Sequence, residues 1–187
     1  MRLLKLMLLG VFLTGFSSMA KAQSEDDFTE YLIEKGEQRA TFGFDIVSTS
    51  TFKFKCKFDK SAQYKTQNPE NQADINKLYG FSDCYSSHQE NSARFGWRWY
   101  QNKLEIHAYC YVNGERVSEF LSAIEPEKIY AYEIERTDKS YIFKLGSVIK
   151  EIKRGCQGQS LGYKLYPFFG GDETAPQKIK ILIEDID

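Results

Sequence analysis

Residues 94–113, RFGWRWYQNKLEIHAYCYVN, alternate one position at a time and turn back on themselves at Gln101-Asn102. A period of two marks a strand, because successive side chains leave a strand on opposite faces. A two-residue turn at Gln101-Asn102 fixes the pairing: Tyr100 opposes Lys103, Trp99 opposes Leu104, Arg98 opposes Glu105, Trp97 opposes Ile106 and Gly96 opposes His107. One face of this hairpin then holds Phe95, Trp97, Trp99, Leu104, Ile106, Ala108, Cys110 and Val112. The other holds Arg94, Arg98, Tyr100, Glu105, His107, Tyr109 and Tyr111. A slip of one residue would exchange the two faces, so any fold of this chain must bury the first and leave the second as a polar-aromatic platform. Trp97 and Trp99 are accordingly expected in the core.

The same reading finds other strands. In residues 50–58, Phe52, Phe54, Cys56 and Phe58 share one face and Lys53, Lys55 and Lys57 the other. A solvated sheet surface is the expectation for the lysines, which also discourage edge pairing. Further strands are expected in 31–41 (a short one with a turn), 78–82, 115–124, 128–135, 140–145, 147–153, 163–169 and 179–183, with loops at 59–77 and 83–91. About ten short strands without a long helical pattern, repeat or linker predict an all-β sandwich, with a small closed barrel as the structural rival.

The first 22 residues read as a signal peptide: Arg2 and Lys5 precede an apolar run over 8–16, and Ala20-Lys21-Ala22 fits a cleavage site. The run is short for a bilayer span, so no integral membrane segment is expected after cleavage. Residues 23–187 are then one β-sandwich domain, secreted or periplasmic. Export permits disulfides. The chain has four cysteines, which allow three pairings. Cys56 and Cys110 fall on apolar strand faces, whereas Cys84 and Cys156 lie in loop contexts, so a Cys84–Cys156 bridge is expected. The formal charge is −1, and the leader holds three basic residues and no acidic one. The remainder offers no net positive field for nucleic acid, although residues 150–154 are locally basic.

Four segments carry a resemblance: YLIEKGEQRA, INKLYGFSD, SARFGWRWYQNKLEIHAYCYVNG and YKLYPFFGGDETAP. They resemble a family of secreted domains of Bacteroidetes type. That family is similar to the concanavalin A-like jelly roll shared by legume lectins, laminarinases and alginate lyases. The resemblance implies a two-sheet antiparallel jelly-roll sandwich in which one curved sheet presents a concave glycan groove. With the hairpin in that sheet, Arg94, Arg98, Tyr100, Glu105, His107 and Tyr109 line the groove. With the hairpin in the other sheet, they are ordinary surface.

Glu105-Ile106-His107 resembles the Gln-Ile-His strand of alginate lyases. By that resemblance His107 is the base of a β-elimination, Tyr163 or Tyr166 the acid, and Arg94 or Arg98 the partner of the uronate carboxylate. The chemistry needs that carboxylate neutralised while a base removes the adjacent weakly acidic proton. Glu105 departs from the pattern, as an ionised glutamate repels the substrate, and the arginine-glutamate-leucine strand of those enzymes is absent. Arg98 opposite Glu105 also reads as a plain surface ion pair. Retaining glycoside hydrolysis asks for two carboxylates about 5–5.5 Å apart, and the nearest pair, Glu133 and Glu135, lacks the expected aromatic setting. Non-catalytic polysaccharide binding asks least: aromatic faces for sugar C–H surfaces and a few directed polar groups.

The reading is therefore a secreted, non-catalytic carbohydrate-binding domain. A polysaccharide lyase and a protein-interaction domain without a glycan ligand are the alternatives. The sequence demands no cofactor. Gly170, Gly171, Asp172 and Glu173 offer oxygens for a structural calcium ion, or form only a glycine-rich turn. His88 lies in a loop, and no zinc spacing accompanies it.

Overall fold

A computed structural model describes residues 27–41, 43–158 and 161–186. The expected signal peptide lies outside these residues. Sheet I contains, in spatial order, β1 (Thr29–Ile33), β12 (Ile179–Ile186), β3 (Thr51–Phe58), β8 (Ile129–Arg136), β9 (Ser140–Leu145) and β10 (Val148–Lys153). Sheet II contains β2 (Ile46–Val47), β11 (Gly162–Leu165), β4 (Asn76–Ser82), β5 (Asn91–Tyr100), β6 (Lys103–Val112) and β7 (Glu115–Ile124). The recorded strand pairs are antiparallel. Among the described residues the only helical pieces are short 3-10 turns, and no helix is long and apolar enough to cross a membrane.

The β5–β6 hairpin has the register expected from its alternation, from Tyr100 opposite Lys103 to Gly96 opposite His107 and on to Asn91 opposite Val112. Gln101 and Asn102 have φ of 49° and 59°, the left-handed pair that a two-residue turn needs to match the twist of its strands. Phe95, Trp97, Leu104, Ile106, Ala108 and Cys110 are fully buried, and Trp99 packs partly buried against the same core. Opposite them, β3 and β8 present Phe54 and Tyr132, stacked at 4.8 Å, and Phe95 meets Tyr132 edge-on at 4.9 Å. Two apolar faces, one per sheet, thus close on each other as sandwich packing requires.

The lysine face of β3 is an ion-pair lattice. Lys53 pairs with Glu133, Lys55 with Glu184 and Lys57 with Glu127, while Lys144 bridges Glu133 and Glu135. Alternating signs leave no groove for a polyanion there, and Glu133 and Glu135 are engaged with lysines rather than set as a hydrolytic pair.

Several strand expectations are adjusted: β1 spans Thr29–Ile33, β2 was not anticipated, and β4 begins at Asn76 inside the expected 59–77 loop. The strand anticipated over 163–169 stops at Leu165, because Pro167 lacks an N–H for the ladder. The chain then bridges Phe168 to Arg39 and Lys77. The last strand extends to Ile186.

The Cys84–Cys156 disulfide is present, and Cys56 and Cys110 are free and buried. Burial pushes both thiols well above their ordinary range. Next to the disulfide, the fully buried Asp83 carboxylate accepts from Arg136 at 3.1 Å, Arg154 at 2.6 Å and the Tyr141 hydroxyl at 2.7 Å. This knot fastens the end of β4 in sheet II to β8, β9 and the end of β10 in sheet I.

Candidate functional site

The outward face of sheet II carries the hairpin platform, but that face is roofed rather than open. Arg94, His107 and Tyr109 are 7%, 4% and 3% exposed. Segments that read as featureless loops pass over them. Gln72 donates to the Trp99 carbonyl at 2.6 Å, and Ile75 lies over Gly96, where a side chain would collide with it. Gly96 sits between Arg94 and Arg98 on β5, so Ile75 divides the face in two.

On one side Arg98 donates to Glu105 at 2.7 Å and to the Ala73 carbonyl at 2.6 Å, with its guanidinium 4.5 Å from the Tyr100 ring centre. His107 Nε2 lies 3.3 Å from the same Glu105 carboxylate, and Phe120 covers its ring edge-on at 5.7 Å. Burial, then the Arg98 charge, holds His107 below its ordinary pKa. This cluster is internally satisfied, and the Arg98–Glu105 pair is the cross-strand ion pair read from the sequence.

The other side is different. Arg94 packs 5.5 Å from the ring centre of Tyr109, its partner across the β5–β6 ladder. Gly80 of β4 opposes Arg94, and any side chain there would strike the Arg94 backbone, so glycine lets the two strands meet. Among the described residues no carboxylate pairs with Arg94, and its buried Nε has no hydrogen-bond partner. Lys77 lies over the same Tyr109 ring at 5.5 Å and over Phe168 at 5.8 Å, and donates to the Gly170 carbonyl at 2.5 Å. Burial, then the Arg94 charge, brings its pKa down to about 8; Asp74 and Asp172 oppose this without forming an ion pair with it. Burial pushes Tyr109 up to about 12, so it stays a neutral phenol.

Two adjoining cavities open here, of about 240 and 250 Å³. Both are bounded by His88, Arg94 and Phe168. The first adds Arg39, Phe44, Tyr163, Lys164 and Tyr166 to its lining, and the second Lys77, Tyr109 and Tyr111. No described Asp or Glu lines either one. His88 Nδ1 lies 2.8 Å from the Tyr163 hydroxyl, which also accepts the His88 backbone N–H at 3.1 Å. Burial, then Arg94 and Arg39, keeps His88 below its ordinary pKa.

Of the residues singled out in the sequence, Arg94, Tyr109, Tyr163 and Tyr166 border this groove. Arg98, Tyr100, Glu105 and His107 line neither cavity, so His107 shares no cavity here with either tyrosine. The Tyr166 hydroxyl is engaged with Asp45. Lys77, His88, Phe44 and Phe168 were not expected at a site. His88 carried one weak signal, its place six residues before Arg94 and close to a loop cysteine.

The calcium expectation meets an unsuitable donor set. Asp172 is exposed, the Gly170 carbonyl faces the Lys77 ammonium, and Glu173 accepts from the Gln67 and Asn68 backbones and the Asn71 side chain. Gln38 donates to the Gly171 and Glu173 carbonyls. An ammonium at the turn and oxygens already engaged do not fit a divalent cation.

No protein-family model matches the sequence, and no curated protein matches it. Solved structures do. The alginate lyase AlyC3 superposes with a TM-score of 0.59 at 9% identity, over 86% of this chain and 75% of that one. The alginate lyase vAL-1 from Chlorella virus gives 0.53 at 11% identity, over 84% and 82%. The catalytic domain of an endo-1,3-beta-glucanase (laminarinase) from Thermotoga petrophila gives 0.51 at 10%, over 75% and 63%. Two six-stranded antiparallel sheets closed face to face, together with these superpositions, establish the fold: this chain is a concanavalin A-like jelly-roll sandwich.

Proposed function

We propose that this domain binds an acidic polysaccharide in the groove between Lys77, Arg94 and Tyr163. One observation carries the reading: Lys77 and Arg94, neither in an ion pair with a described carboxylate, line two adjoining cavities that no described carboxylate lines, with Arg39 and the Asp185-paired Lys164 at the first, although the chain as a whole is slightly acidic. A buried guanidinium without a counter-ion costs stability in the free protein. It is suited to an anionic group that arrives with a ligand, because a guanidinium grips a carboxylate through two parallel N–H bonds. Tyr109, Tyr111 and Tyr163 supply aromatic surface and hydroxyls of the kind that orient sugar rings. Fold likeness to enzymes named for alginate and 1,3-beta-glucan agrees with a polysaccharide ligand, and the cations favour an acidic one.

Calorimetric titration with alginate and pectate oligomers against laminarin oligomers tests this. Binding of the uronates and not of the neutral glucan is expected, and Arg94→Met should weaken it at least about tenfold, the worth of one charge-assisted hydrogen bond. Because the buried guanidinium has no counter-ion among the described residues and its Nε makes no hydrogen bond, the same variant should unfold at an equal or higher temperature. Equal affinity for neutral and acidic oligomers, or none for either, defeats the reading.

A second reading, lyase activity, draws on the 2.8 Å His88–Tyr163 contact beside Arg94. Neutral His88 is a suitable base for the proton next to an Arg94-bound carboxylate, and Tyr163 a suitable donor to the departing glycosidic oxygen as the ring double bond forms. His88→Ala should then abolish the ultraviolet absorbance of unsaturated uronate while leaving binding in place. No such absorbance from the wild type on alginate, pectate or glucuronan leaves binding alone.

A further inference from the structure

Phe44 is 73% exposed, yet it does not stand alone on the surface. Its ring stacks on Tyr163 at 5.7 Å with 24° between the planes, and both line the cavity that also holds Arg94. A lone exposed apolar residue needs no explanation. An exposed aromatic stacked on a groove tyrosine, at the mouth of a basic cavity, offers a flat apolar wall where a ligand passes. Phe168 and Arg94 border both cavities, so a ligand on Arg94 has room on either side of it.

We infer that the groove has two sugar subsites that share Arg94, and that Phe44 is the stacking wall of the subsite on the Tyr163 side. This rests on the acidic-polysaccharide reading. One uronate unit sits against Lys77 and Tyr109, with its carboxylate toward Arg94. The next unit lays the C–H face of its ring on Phe44. The shortest ligand that uses the whole groove is then a disaccharide, and Phe44 serves only the second unit. Burying a sugar face on an aromatic ring gives a contact of the order of aromatic pairs, or about tenfold in affinity.

The experiment is a chain-length series of uronate monomer, dimer and trimer cut from alginate and from pectate, titrated into wild type, Phe44→Ala, Phe44→Trp and Arg94→Met. Wild type should gain affinity sharply from monomer to dimer and little from dimer to trimer. Phe44→Ala should bind the monomer as wild type does and lose about tenfold on the dimer, and Phe44→Trp should recover that loss. Exposure of the ring means that Phe44→Ala should melt as wild type does, so lost binding is not lost folding. The inference falls if Phe44→Ala matches wild type on the dimer, or weakens monomer and dimer equally. In those cases a large loss in Arg94→Met shows that the acidic-polysaccharide reading survives. No binding of any oligomer by wild type removes that reading, and this inference with it.

Discussion

Lys77 brings an ammonium into a space already occupied by a guanidinium, and the consequences have opposite signs for folding and for binding. Its pKa in the folded chain is about 8, lowered first by burial and then by Arg94, against an ordinary value of 10.5. Between these values the unfolded chain holds a proton that the folded chain has released, so stability should rise as pH goes from 8 towards 10. An anionic ligand needs the protonated form, so affinity should fall through the same window, by at most about tenfold between pH 7 and 9. The neighbours do not confuse the test. Tyr109 lies near 12, and His88, held below its ordinary value, is already neutral. Calorimetry with a uronate trimer and urea unfolding across this range should show the two opposed trends, and Lys77→Met should flatten both. Parallel trends would show that the groove does not use the ammonium. Lys77 was not legible as a site residue because 59–77 reads as a loop, whereas β4 begins at Asn76 and carries a β-bulge just after Lys77. Strict alternation puts Lys77 and Tyr79 on one face. The register shift between Lys77 and Gly80 instead sends both Leu78 and Tyr79 into the core and leaves Lys77 over the groove.

At the scale of elements, the loop between β4 and β5 decides where His88 stands. Tyr85 N–H donates to the Leu161 carbonyl, the Ser92 hydroxyl donates to the His88 carbonyl, and the disulfide ties Cys84 to Cys156. Cys84 and Tyr85 hold φ of 59° and 53°, left-handed values that a free loop would rarely keep. With its cysteines 72 positions apart in sequence, the bridge should contribute about 4 kcal/mol by restricting the unfolded chain. Cys84→Ala with Cys156→Ala should lose about that much in urea unfolding. Hydrogen exchange in residues 83–90 should quicken more than in the β5–β6 hairpin, and uronate affinity should fall severalfold as His88 and Tyr163 part. Unchanged exchange in the loop would show that the bridge does not hold it. The hairpin and the bridge were legible because their information is local: a period of two, a two-residue turn, and two cysteines off the apolar faces. The position of His88 depends on β11 lying beside β4, a contact between segments about 80 residues apart, as in the bond from Tyr163 N–H to Ser82. Nothing in a single stretch encodes it. The roof over Arg94, His107 and Tyr109 was hidden for the same reason, since residues 66–75 and 166–175 have no period to read.

For the whole molecule, what matters is how two sheets stay in register when the contacts between them are mostly apolar and non-directional. The Asp83 knot supplies direction. One carboxylate on sheet II accepts from two guanidiniums and a phenol carried by sheet I, and all four of these residues are buried. Arg136 also reaches the Ser48 carbonyl, and Arg154 the Thr137 and Gly158 carbonyls, so both guanidiniums are tied to backbone as well as to Asp83. Removing the carboxylate leaves two buried cations facing each other. Asp83→Asn should therefore cost about 3–5 kcal/mol, the loss typical when one partner of a buried pair is taken away. Arg154→Met alone should cost less, because Arg136 and Tyr141 still serve Asp83. In the double variant the two losses should be far from additive, since each change removes the same interaction. The groove lies on the outward face of sheet II, away from the knot, so variants kept folded at low temperature should bind uronate trimers as wild type does. Urea unfolding of the four proteins of this cycle, with one titration of each, separates the outcomes. Additive losses would mean the knot is a set of independent bonds, and lost binding in a folded Asp83→Asn would mean that the knot shapes the groove as well as holding the sheets.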